Sequence, residues 1–161
     1  MSAENLECYL NDHLAGAAGA LQLLEDLSQR ELEGIDPAFF RSLHEEVYAD
    51  HELLKRLMAQ ADLDSSEALM TMGKFTGAMA RLKLQWEGFE PGELGLFEAL
   101  EMLALGIQGK RLLWGALGGI APTIPGWTGI DFTALAESAK SQRNQVEIKR
   151  LAVSREALAK E

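Results

Sequence analysis

Five stretches of this chain place apolar residues at alternating steps of three and four, the spacing of one helix face, and turn chemistry separates each stretch from the next. The first runs from about Asn5 to Arg30 with Leu6, Leu10, Ala17, Ala20, Leu24 and Leu27 on one side, and Gly34 lies just beyond its end. The second opens at Asp36-Pro37, where a carboxylate caps free amides and proline takes the first helical position without losing a hydrogen bond. Its stripe is Phe40, Leu43, Val47, Leu54 and Leu57. The third follows Asp64-Ser65-Ser66-Glu67, an acid three residues after a capping residue, carries Ala68, Met72, Phe75, Met79, Leu82 and Trp86, and ends at Gly88. The fourth starts at Pro91, shows Leu96, Leu100, Leu103, Ile107, Trp114 and Leu117, and stops at Gly118-Gly119. The fifth begins after Asp131 with Phe132, Leu135, Ala139, Val146, Val153 and Ala157. With almost no strand pattern between these stretches, the expected fold class is all-α.

A chain of 161 residues buries a sufficient core as one domain, residues 1–161, without a disulfide or structural metal. Cys8 is the single cysteine, so no intrachain disulfide forms, which suits a reducing cytoplasm. The start, MSAENLE, is acidic and lacks the basic and apolar segments of a signal peptide, and no stretch has the ~18 uninterrupted apolar residues of a membrane span. A soluble, cytoplasmic protein is expected. The net charge of −10 repels phosphate backbones and anionic lipid, and no basic cluster offsets it, so neither nucleic acid nor a membrane surface is an expected partner.

Connection lengths give a topology. The first and second helices are joined tightly and so lie antiparallel; the segment from Ser65 to Trp86 is long enough to carry the chain back along the bundle, which sets the fourth helix parallel to the second. In that order of helices the chain resembles the ferritin-like superfamily over essentially its whole length, the first, second, fourth and fifth helices being the bundle and the third a helical crossover. A five-helix bundle of other connectivity would show the same periodicity.

The resemblance implies a di-iron centre, for which the family uses a Glu from each of the first and third bundle helices and a Glu-x-x-His from each of the second and fourth. The run from His44 to Met58, HEEVYADHELLKRLM, has the composition but not the spacing: three residues before His51 stands Tyr48, and three after Glu46 stands Ala49. The fifth helix has no histidine, and its candidate triplets read Glu137 to Lys140 and Glu147 to Arg150, with cations where the family has an imidazole. No iron or manganese cofactor is therefore expected. The alternative is a divalent ion such as Fe or Mn on a non-standard set drawn from His13, Glu46, Asp50 and Glu101.

Polar residues interrupt three stripes near their centres: His13 between Leu10 and Ala17, Asp50 between Val47 and Leu54, and Lys110 between Ile107 and Trp114. A polar group at a core position costs a few kcal/mol unless partnered, so these three are expected to form a buried polar centre, with Asp50 paired to His13 or Lys110. The turn near residues 31 to 36 puts His13 within roughly one helical turn of Asp50. The centre is either a structural pair that fixes register or a remodelled functional site. Two mid-helix glycine pairs, Gly16 with Gly19 and Gly106 with Gly109, each cost about 1 kcal/mol per glycine relative to alanine. They either let two backbones approach closely or leave a ligand notch between the first and fourth helices.

His44, Tyr48 and His51 form a row along the second helix, read as a solvated flank or subunit contact because seven residues span about 10 Å, too far for one ion. The segment 118–130 presents Ile120, Ile124, Trp127 and Ile130 among Gly and Pro; it either plugs the end of the bundle or offers a hydrophobic surface to a partner. Nucleophile elbows, phosphate loops, dinucleotide fingerprints and paired cysteines are absent from the sequence, so catalysis is not expected. Two function classes remain. The first is a non-catalytic bundle that binds a small molecule or partner, as a homodimer through an apolar helix face; the alternative is a metal-binding or oxidoreductase bundle with a non-standard centre.

Overall fold

The computed structural model describes residues 2–32, 34–66 and 92–159, and it is all-α over them. Among the described residues there are four long helices: α1 (Ser2–Ser28), α2 (Pro37–Gln60), α3 (Glu93–Ile120) and α4 (Phe132–Leu158). The expected third helix, from Ser65 to Trp86, falls almost entirely outside the described residues.

Two helix starts follow the expected cap chemistry, whereas α1 begins at Ser2 rather than near Asn5 and α3 begins at Glu93 after Gly92, without a side-chain cap. Asp36 Oδ1 accepts from the Ala38 amide at 2.8 Å ahead of Pro37, and Asp131 Oδ1 accepts from the Ala134 amide at 2.9 Å. At the other end of α2, Asp62 turns left-handed at φ 55°, which lets the Leu63 amide reach Met58 O and the Asp62 amide reach Ala59 O, a Schellman closure. Gly34, at φ 79°, makes the corresponding reversal between α1 and α2. The expected stop at Gly118-Gly119 is corrected: α3 runs on to Ile120 and gives way where Pro122, lacking an N–H, cannot continue the ladder. Gly118 serves packing instead, since a Cβ there would lie 3.1 Å from Phe132 Cβ at the start of α4.

α1 pairs with α2, and α3 pairs with α4. The core draws on each of the four described stripes: Leu10, Leu24, Leu27, Phe40, Leu57, Leu100, Leu103, Trp114 and Val146 are each at most 3% exposed. At roughly 1.5 to 3 kcal/mol per buried large apolar side chain, these residues hold the hairpins together.

Side-chain contacts fix how the hairpins run. Trp127, in the 121–131 connection, donates through Nε1 to Leu57 O at 2.8 Å, so the C-terminal ends of α2 and α3 lie together. At the opposite end, Lys149 of α4 sits over the Phe39 ring of α2 at 5.4 Å, and Arg150 sits over Phe97 of α3 at 5.1 Å. α2 and α3 therefore point the same way. Asn11 pins the outgoing chain to the start of α1, donating to Asp64 O at 2.9 Å and accepting from the Ser66 amide at 2.7 Å. Ser66 and Gly92 thus stand at opposite ends of a bundle whose α2 alone is about 36 Å long at 1.5 Å per residue.

The connection after α3 closes one end of the bundle. Trp127 is 1% exposed and packs on Phe132 at 5.7 Å, with Ile124 and Ile130 partly buried beside the core and Ile120 left exposed. Gly126 permits this docking: a Cβ there would lie 2.4 Å from Gln60 O. Trp127 also gives a partner to one of the carbonyls that the last turn of α2 leaves open.

Candidate functional site

Midway along the bundle the interior becomes polar around one ammonium. Lys110 Nζ donates to Asp50 Oδ2 at 2.5 Å and to Gln142 Oε1 at 2.5 Å, joining α2, α3 and α4. An ammonium only donates, so the amide oxygen of Gln142 is the end that faces it. Gln142 is 4% exposed, while the Lys110 and Asp50 side chains are 13% and 17% exposed. Asp50 is thus paired with Lys110 and partly, rather than fully, buried.

His13 stands apart from this pair. Its ring meets Tyr9 edge to face at 4.8 Å, and among the described residues no hydrogen bond or ion pair joins it to Asp50. Burial lowers the His13 pKa below the ordinary 6.5, the Asp12 carboxylate opposing that shift to a smaller degree.

His13, Asp50 and Lys110 all border a cavity of about 560 Å³ between α1, α2 and α3. Its walls are mostly apolar, with Ala17 and Leu23 from α1, Val47 and Leu54 from α2, and Leu103 and Ile107 from α3. Gly16, Gly106 and Gly109 lie on the wall; Gly19 is not among its lining residues. Close backbone approach does not explain the α3 glycines, because among the described residues a Cβ at Gly106 or Gly109 would meet no heavy atom within 4 Å.

Two residues acquire a different place from the one their sequence context suggested. His51 is not on a solvated flank: it is 6% exposed, borders the cavity, and brings Nδ1 to 3.4 Å from Glu52 Oε1. The row expected with it divides, for Tyr48 is 52% exposed and stacks with His44 at 6.4 Å outside the core. α2 turns about 100° per residue, so the three residues from Tyr48 to His51 set their side chains roughly 60° apart, with His51 on the inner side. Gln142 was not singled out from sequence. The signal was present, since Gln142 sits between Ala139 and Val146 at steps of three and four, as Asp50 and Lys110 do on their own stripes.

The described side chains do not fit a di-iron centre. Glu46 and Glu101 are exposed, which removes two of the four alternative ligands from the interior. Glu101 instead meets Arg150 Nη1 at 3.2 Å. Arg150 also holds Glu147 through Nε and Nη2 at 2.8 and 2.9 Å, and these hydrogen bonds lower the Glu147 pKa. Lys140 and Glu137 pair at 3.6 Å on the exposed side of α4. Among the described residues no three His, Cys, Asp or Glu side chains gather where one ion could bind. Asp50, one of the two alternative ligands left, already holds the Lys110 ammonium, which a divalent cation would have to displace.

Fold and site together define a class: an all-α bundle with four long helices among the described residues, a Lys-centred polar hub beside an apolar cavity, and no described helix long and apolar enough to cross a membrane. Compared with protein-family models, with curated proteins and with solved structures, the chain matches none.

Proposed function

We propose that the protein is a non-catalytic ferritin-like bundle in which a Lys110–Asp50–Gln142 hub replaces the iron centre, and that it binds a small molecule in the cavity between its hairpins. The observation that carries this reading is the cavity itself. Its volume of about 560 Å³ lies in the range of small-molecule sites, roughly 300 to 1,000 Å³, and its lining joins apolar walls to a few polar groups. The two α3 glycines add support, because each gives up helix stability without any packing contact that requires it. Ferritin-like connectivity is supported by the parallel course of α2 and α3, and a non-catalytic role by the pairing of Asp50 and Lys110 with each other.

The test uses the hydrocarbon fluorophore diphenylhexatriene, whose emission rises when it leaves water. Saturable enhancement with the protein, lost in Gly109→Leu while helical circular dichroism is kept, is the expected result; no saturable binding would overturn the reading. Metal analysis of protein purified without chelator is expected to find no stoichiometric iron or manganese. We include in the proposal a homodimer through exposed apolar side chains such as Leu105 and Leu112 of α3 and Ile148 of α4, which sedimentation would detect.

A further inference from the structure

On the reading that the cavity is a binding site, we infer that its ligand is an elongated, uncharged, mainly apolar molecule carrying one hydrogen-bond acceptor, such as a ketone oxygen, that Lys110 receives. The length follows from the lining. The cavity borders α1 from Tyr9 to Leu23 and α3 from Met102 to Trp114, about 21 and 18 Å of helix at 1.5 Å per residue.

The absence of charge follows from what the walls already hold. Among the described residues the ionisable groups on the lining are Tyr9, Asp12, His13, Asp50, His51 and Lys110. Asp50 and Lys110 neutralise each other, and Asp12 is exposed, where solvent screens it. His13 is disfavoured as a cation by burial, and His51 is directed at Glu52 through Nδ1. Among the described residues, a ligand carboxylate would enter beside Asp50 with the Lys110 ammonium already paired, and a ligand ammonium would find the Asp50 carboxylate taken. Either charge would be desolvated without a counter-ion.

The acceptor follows from the donor count of Lys110. An ammonium has three N–H groups; Asp50 and Gln142 engage two, and the third has no acceptor among the described residues. An uncharged oxygen can take that third donor without disturbing the pair.

Decan-2-one, decanoate and decylammonium, matched in chain length, are to be compared at pH 7 as competitors for bound diphenylhexatriene. The ketone is expected to displace the fluorophore with a dissociation constant at least about tenfold below that of either ion. In Asp50→Leu/Lys110→Met, checked for folding by circular dichroism, the ketone is expected to bind about tenfold more weakly. Equal or tighter binding of either ion, or unchanged ketone affinity in the double variant, would overturn the ligand class. Failure of the fluorophore itself to bind would instead remove the cavity reading on which this inference rests.

Discussion

Removing the Asp50 carboxylate would leave the partly buried Lys110 ammonium facing only a neutral amide. The side chains are 17% and 13% exposed, so the cost of Asp50→Ala lies between about 0 to 1 kcal/mol for a surface pair and 3 to 5 for a fully buried one, at about 2 kcal/mol. Asp50→Leu/Lys110→Met should recover most of that loss in urea denaturation, because no stranded charge remains. His13 makes a second prediction. Its folded-state pKa lies below the ordinary 6.5, so as pH falls through 6.5 the unfolded chain takes up a proton before the folded one. The stability from a neutral His13 is full above 6.5 and declines below it until the folded-state pKa is passed; His13→Gln should remove that part of the decline in urea midpoints measured against pH. Asp50 and Lys110 were legible as interruptions of apolar stripes, because a charge at such a position demands a partner. Gln142 was not, since an uncharged amide on a stripe of alanine and valine announces less, and the placement of His51 depended on helix rotation that a heptad count does not resolve.

At the scale of the helices, glycine gives opposite predictions at two places. Gly109 is mid-helix with open space where a Cβ would go, so Gly109→Ala should raise stability by about 0.5 to 1 kcal/mol, seen as a higher thermal midpoint. Gly126 stands against the end of α2, where a Cβ would lie 2.4 Å from Gln60 O. Gly126→Ala should lower stability by about 1 to 3 kcal/mol, seen as a lower thermal midpoint, and weaken the Trp127 contact to Leu57, which tryptophan fluorescence would report as increased solvent exposure of an indole. The helix starts were readable because Asp36-Pro37 and Asp131 carry their own cap chemistry. The end of α3 was misread at Gly118-Gly119 because glycine serves both as a helix stop and as a site of close approach, and Phe132, fourteen residues away, decides between them.

For the whole molecule, connection length made the order and direction of the helices legible: a short turn forces α1 and α2 antiparallel, and contacts at both bundle ends place α2 and α3 parallel. The space between the hairpins was not legible in that way, because a glycine pair is compatible with two helices touching and with a gap, and only the packed positions of α1, α2 and α3 distinguish them. The central claim is that this space accepts an apolar guest, and crystals pressurised with xenon test it most directly, since xenon enters apolar cavities that water leaves. The predicted result is an ordered xenon site bordered by Ala17, Leu54, Leu103 and Gly106, absent from Gly109→Leu crystals. Xenon bound only elsewhere, or a space filled by ordered water or by the protein's own side chains, would contradict it.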